Sequence, residues 1–337
     1  MAIAFKRILA LLFGVLLFFA TAEVMSRVVF QKVVRYDVEM WRYARQVKTV
    51  GLTPGLRFEH RPNVQTRLMG VDVKINTDGL RDREYSRQKG ENTVRIAVVG
   101  DSITFGWGVD QEQTYPRQLE RELNRQRPLG PDVTFEVLNF GVGNYGITDV
   151  AAMLQSKAFF YQPDLVLYGA FINDAEIPNS VRSGGGLLQN SVFSVWLWGR
   201  VDALWRQLGW RADYRDYYLG MYREGQGGPP LVKNTLSAMQ KLCKEQHVPL
   251  ALLLFPELHD DSGAVFAPIR EFYQQTSKEA GVDYFDLQET LPERELRQYW
   301  VSADDSHPNA EAFLLFARHV AKTYPWQKLL SITDQVQ

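Results

Sequence analysis

From about residue 93 onward, short apolar runs alternate with longer stretches whose hydrophobic positions recur every three or four residues. Val94 to Val99, Val133 to Leu138, Asp164 to Ala170, Pro249 to Phe255 and Val282 to Phe285 read as strands. Thr114 to Gln126, Thr148 to Tyr161, Leu231 to Gln246, Pro268 to Ala280 and Asn309 to Thr323 read as helices. Runs such as IAVV, LVLY and ALLLF are apolar at every position, which suits strands covered on both faces. The alternation predicts an α/β three-layer sandwich with about five parallel strands, its functional groups gathered at their carboxyl ends.

The first 92 residues follow other patterns. Lys6 and Arg7 precede an uncharged run, Ile8 to Ala22, as in an export signal. That run reaches about 22 Å as a helix, whereas a bilayer core needs about 30 Å. Ala2 to Phe5, or Val24 to Phe30 past Glu23 and Arg27, would lengthen it. Ala20-Thr21-Ala22 fits signal-peptide cleavage, so a secreted form stays open beside the favoured uncleaved anchor. Positive charge on the N-terminal side would leave the remainder outside the cytoplasm, a vote that Arg27, Lys32 and Arg35 weaken. Residues 1–30 are thus expected to be a signal anchor or signal peptide. Residues 31–91, polar and without sustained periodicity, are expected to wrap the main domain, with turns at Thr53-Pro54-Gly55, Arg61-Pro62-Asn63 and Thr77-Asp78-Gly79 and a short strand at Val71 to Ile75. The main domain should run from 92 to 326 with an aromatic insert at 180–230, bracketed by Gly184 to Gly186 and Gly225 to Pro230.

Charge narrows the partners. Thirty-eight Lys and Arg against 39 Asp and Glu leave no basic surplus for nucleic acid. A single cysteine, Cys243, excludes an internal disulfide and a cysteine zinc site, and no metal-ligand spacing or P-loop occurs; no cofactor is implied.

The candidate chemistry sits where the expected strands end. Gly100-Asp101-Ser102 follows the first strand, with Gly100 permitting a tight turn. Asn139 to Gly146 (NFGVGNYG) follows the second and lets backbone N–H groups approach an oxyanion. Asn173-Asp174 ends the third and offers the Asn173 amide, although such a pair also caps helices. Asp304 and His307 stand three apart before the last helix, which Pro308 can open. Asp304 would orient the ring; Asp305 competes but reads better as a capping or solvated carboxylate. Of the other histidines, His60, His247 and His319 read as surface, loop or packing residues, and His259, in the loop PELHDDSG, is the least settled. A serine, a base and a carboxylate are the equipment for acyl transfer through a serine ester.

In order and spacing these four blocks resemble the SGNH hydrolase superfamily, the GDSL esterases and lipases, over about residues 75–323. With NTDGLRDRE upstream the chain looks like exported or membrane-anchored bacterial members. The resemblance implies a flavodoxin-like sandwich, Ser102 as nucleophile and first oxyanion donor, Asn173 as side-chain donor, Asp304 as triad acid and His307 as base. Where the family has an oxyanion glycine, this chain has Asn144; either its N–H serves, since Asn tolerates left-handed backbone, or the loop shifts to Gly143. The expected function is a serine acyl-ester hydrolase on a small or carbohydrate-linked, for instance acetyl, ester. It would act on the periplasmic or outer side of a bacterial inner membrane held by the N-terminal segment. The same triad would serve an O-acyltransferase of envelope or exopolysaccharide, and a catalytically silent scaffold is the third reading. Trp196, Trp198, Trp205, Trp210, Tyr214, Tyr217, Tyr218 and Tyr222 can stack on sugars, or form a packed lid or membrane-facing surface.

Overall fold

A computed structural model describes residues 2–177, 190–292 and 295–329. The expected punctuation at Gly184 to Gly186, and the start of the aromatic insert, lie outside the described residues. The chain forms two compact units, Met1–Arg45 with Val181–Asp213, and Gln46–Ser180 with Tyr214–Gln337.

In the first unit, α1 (Ala2–Val29) is long and apolar enough to cross a membrane over Ile3–Val29. α2 (Tyr36–Gln46) follows, and α6 (Val192–Gln207) rejoins the unit. The Glu23 carboxylate of α1 accepts from the Ser191 hydroxyl (2.7 Å) and the Phe193 N–H (3.0 Å), two donors at the start of α6. Arg200 of α6 pairs with Asp37 of α2 at 3.1 Å.

The second unit is built on β5 (Thr93–Gly100), β6 (Thr134–Gly141), β7 (Leu165–Ala170), β8 (Leu250–Leu254) and β9 (Asp283–Asp286). They pair in parallel in the order β6-β5-β7-β8-β9, the flavodoxin-like order, whose direction reverses at β5 and opens a crevice at that carboxyl edge. Because successive side chains point to opposite faces, Ile96 and Val98 of β5 go one way and Ala97 and Val99 the other. The first face packs on Leu119 and Leu123 of α4 (Tyr115–Gln126) and Phe313 and Phe316 of α10 (Ala310–Thr323). The second packs on Leu154 of α5 (Ile147–Ser156), Leu236 of α8 (Gly228–Glu245) and Ile269 of α9 (Ala267–Ala280). These side chains are essentially fully buried, and each burial other than that of Ala97 stabilises by about 1.5–3 kcal/mol. The expected three-layer sandwich is therefore present. α8 starts earlier than its apolar pattern, at Gly228, because Pro229 and Pro230 fit a first helical turn.

The N-terminal extension adds two small antiparallel pairs, β1 (Lys48–Val50) with β2 (Phe58–His60) and β3 (Gln65–Leu68) with β4 (Val71–Lys74). The four-residue α3 (Ser102–Phe105) follows β5, and α7 (Tyr214–Met221) precedes α8. One element departs from expectation. The segment ahead of α10 is a hairpin of β10 (Trp300–Ser302) and β11 (Asp305–Pro308), and the cap of α10 is Asn309, whose side chain accepts from the N–H groups of Glu311 and Ala312.

Candidate active site

Ser102 is seated on a row of glycines. Gly100 of β5 is in register with Gly141 of β6 on one side and Gly169 of β7 on the other. A Cβ on Gly100 or Gly169 would collide with Thr104 of α3, and one on Gly141 with the backbone of Thr104 and Phe105. Gly100 itself is an ordinary strand residue; what its missing side chain permits is the close approach of α3, rather than the turn expected from the sequence. Asp101 then caps α3, accepting from the Ile103 N–H at 2.9 Å, and Ser102 opens the helix almost fully buried.

Ser102 Oγ lies 2.8 Å from His307 Nε2, across 205 residues of sequence. His307 Nδ1 lies 2.6 Å from Asp305 Oδ1, which also accepts from the His307 backbone N–H at 3.1 Å. The orienting carboxylate is thus Asp305, which corrects the expectation for Asp304. The reason is the strand: residues two apart in β11 share a face, whereas a spacing of three would suit a helix. Asp304 sits exposed in the hairpin turn, where its Oδ1 accepts from the Ser302 hydroxyl at 2.9 Å.

The second Asp305 oxygen is also engaged. The indole Nε1 of buried Trp107 donates to Oδ2 at 2.7 Å, and the same ring packs against the His307 imidazole with centroids 5.7 Å apart. Burial works to raise the Asp305 carboxyl, but the charge of His307 and the hydrogen bonds from His307 and Trp107 outweigh it and hold it below the ordinary carboxylate range. Trp107 is a residue that sequence reasoning misses; nothing in GDSITFGWG marks an indole that folds back over His307.

On the other side of Ser102, Asn173 Nδ2 donates to Asp101 Oδ2 at 3.2 Å. This fixes the amide and leaves its second N–H for a ligand. Burial raises the Asp101 carboxyl. Asp174 is structural: its Oδ2 accepts from Tyr168 (2.6 Å) and from the Phe171 N–H (2.9 Å), and burial pushes it up to about 8.

Gly143 and Asn144 leave β6 just beyond the glycine row, and Asn144 is left-handed at φ 69°. Lys48 of β1 donates to the Gly143 carbonyl at 3.1 Å while its ammonium lies 4.0 Å from the Phe58 ring centre. Desolvation, opposed by Asp149 and reinforced by Arg57, brings that ammonium down to about 7. Because a trans peptide directs its C=O and N–H oppositely, a Gly143 carbonyl held by Lys48 turns the Asn144 N–H the other way. Lys48 had drawn no notice in the sequence, lying 95 residues from its partner.

The motif NTDGLRDRE braces this edge from behind. Arg81, fully buried, donates to the carbonyls of Phe105 (3.2 Å), Gly106 (2.5 Å) and Val109 (2.6 Å), and Asp82 Oδ2 accepts from the Asn139 N–H at 3.0 Å.

At the carboxyl end of β8 lies a second histidine–carboxylate pair. His259 Nδ1 is 2.5 Å from Glu257 Oε1, and Tyr214 OH donates to the same oxygen at 3.1 Å. The His259 ring is flanked by Tyr214 and Trp300, with centroids 4.9 and 4.7 Å away.

Residues 98–313 match the GDSL-like lipase/acylhydrolase family. Lys48 and Arg81 lie outside the matched segment. Similar solved structures include an acetylxylan esterase from Geobacillus stearothermophilus, 16% identical over 69% of this chain and 95% of that one, TM-score 0.43. An α/β hydrolase from the metagenome of Lake Arreo, Spain, is 19% identical over 68% of this chain and 94% of that one, TM-score 0.42. A two-domain esterase active on acetylated mannans is 14% identical over 71% of this chain and 50% of its own, TM-score 0.43. No curated protein matches the chain.

Proposed function

Because this chain belongs to the GDSL-like lipase/acylhydrolase family and is accordingly a hydrolase of ester bonds, we propose that it cleaves a carbohydrate-linked acyl ester, such as an acetyl ester, through an acyl-Ser102 intermediate. The observation that carries this is the unbroken relay Ser102 Oγ, His307, Asp305. His307 Nε2 takes the hydroxyl proton as Ser102 Oγ bonds to the ester carbonyl carbon. The oxyanion is met by the N–H groups of Ser102 and Asn144 and the free Asn173 amide hydrogen, with Asn144 favoured over Gly143 by the Lys48 contact. The imidazolium then returns its proton to the leaving alkoxide, and water repeats the sequence to release the acid. Asp305 keeps the ring in the tautomer that presents Nε2 to the serine.

The carbohydrate reading draws on the ring cluster Tyr214, His259 and Trp300, contributed by the start of α7, the loop after β8 and the β10 strand. Aromatic faces of this kind suit the apolar face of a sugar ring. The reading also takes α1 as an uncleaved anchor, supported by one unbroken helix, long and apolar enough to cross a membrane, that runs through the small-residue pattern Ala20-Thr21-Ala22. With Lys6 and Arg7 on the cytoplasmic side, the second unit faces the exterior.

The test is hydrolysis of p-nitrophenyl acetate and of acetylated oligosaccharides by the full chain beside Ser102→Ala. Acetate release that needs Ser102 supports the reading. Acetyl groups recovered on an added sugar in place of free acetate would make a sugar hydroxyl the acceptor, and turnover indifferent to Ser102 would remove the mechanism.

A further inference from the structure

α6 carries an apolar stripe along one face. Phe193, Leu197, Val201, Leu204 and Leu208 follow one another at steps of three or four residues and therefore lie on one side of the helix and its C-cap. At the start of the stripe Phe193 packs edge-on against Phe18 and Phe19 of α1, with ring centroids 6.2 and 6.1 Å apart. Beyond it the stripe opens to the outside: Leu197, Leu204 and Leu208 are 40, 50 and 52% exposed with Val201 half-buried between them, and Trp198 on the helix and Trp210 just past it are 54 and 72% exposed.

Phe18 and Phe19 belong to the uncharged run of α1, so a membrane around α1 extends along this helix to the point where α6 begins. The Glu23 cap on Ser191, Val192 and Phe193, and the Arg27 bond to the Asn190 carbonyl, fix that start against α1. The exposed stripe continues the face that meets α1 there. We propose that α6 is an interfacial helix lying on the lipid bilayer, with Leu197, Val201, Leu204 and Leu208 among the acyl chains and Trp198 and Trp210 at the headgroup level. Burial of an apolar helix face, with tryptophans at the water boundary, is how monotopic helices bind lipid. The inference rests on the anchor reading of α1, from which the test must separate it.

The full chain, carrying Cys243→Ala, is reconstituted in phosphatidylcholine–phosphatidylglycerol vesicles with an environment-sensitive fluorophore on a single new cysteine. Leu204→Cys and Leu208→Cys report α6, Leu12→Cys reports α1, and Lys241→Cys on the exposed face of α8 reports water; retained ester hydrolysis shows that each variant folds. Shallow nitroxide lipids should quench positions 204 and 208 strongly and shift their emission to the blue, while 241 stays bright. Position 12 should respond to deep nitroxides. Quenching at 12 with 204 and 208 in water would overturn the inference and leave the anchor. Quenching at 204 and 208 without 12 would overturn the anchor and leave the docked helix. No quenching at 12, 204 or 208 would overturn both.

Discussion

Two histidines of the second unit are built to one local plan. His307 and His259 each follow a carboxylate by two residues, each donates its backbone N–H to that carboxylate, and each directs Nδ1 at it. Each carboxylate has a further aromatic donor, Trp107 for Asp305 and Tyr214 for Glu257. They differ in what lies beyond Nε2. His307, with its side chain 16% exposed, reaches a serine hydroxyl, whereas His259, at 42%, stands between two aromatic rings. A histidine–carboxylate pair is therefore a way of holding a ring still; whether the held ring does chemistry depends on its other nitrogen.

The sharpest break of this comparison is removal of each ring. Ser102→Ala and His307→Ala should each lower kcat on p-nitrophenyl acetate by about 10⁵–10⁶-fold, as for triad members acting as a unit. His259→Ala should leave that small-ester turnover within a few-fold and raise KM for an acetylated oligosaccharide; equal losses in both variants would erase the distinction. Next come the carboxylates. Asp305→Asn should cost about 10³–10⁴-fold through the wrong tautomer, and Asp304→Asn about nothing. Trp107→Phe keeps the ring over His307 but deletes a hydrogen bond to a charged group, a loss of about 1.5–3 kcal/mol or roughly 10–100-fold in kcat. An unchanged kcat in that variant would reduce Trp107 to packing.

Lys48 carries the question to the oxyanion side, with a smaller effect. Lys48→Met should lower kcat about fivefold, the worth of roughly one net hydrogen bond. Because the ammonium sits at about 7, the native enzyme should lose part of this help as pH rises through neutrality, and Lys48→Arg should keep it. A pH–kcat profile of the two proteins above pH 7 decides. Stability in place of turnover tests a third histidine, His60, held neutral by burial, with Lys48, Lys157 and Arg81 pushing the same way, and standing at about 3. The unfolded chain binds this proton below about 6.5 and the folded chain only near 3, so stability falls as pH falls between those values, by at most about 1.4 kcal/mol per pH unit. His60→Asn should lower Tm at pH 7 yet flatten its decline towards pH 4; an unaltered slope would show that other groups set the acid limb.

The parallel sheet was legible because IAVV, LVLY and ALLLF have no polar position to turn outward, and the helices because their periodicity is strong. The β10–β11 hairpin was not, since three- and four-residue strands give too few alternations to show a period. That one omission moved the orienting acid by one residue, from Asp304 to Asp305. That Ser102, Asn173 and His307 come to one sheet edge was legible because each stands in a distinctive short block; the roles given them are proposals. Trp107, Lys48 and Arg81 act through contacts that folding alone creates, with partners 28 to 198 residues away in the best-separated cases.

Arg81 sets the boundary of what can fold by itself. Its guanidinium satisfies three main-chain carbonyls on the turn behind Ser102, at Phe105, Gly106 and Val109. A fragment cut to the matched family segment would keep all three acceptors and lose their donor, together with the Asp82 carboxylate on Asn139. Such a fragment would retain Ser102, Asp305 and His307 and still lack the keystone behind them. Minimal versions of this enzyme for engineering should therefore begin upstream of Asn76.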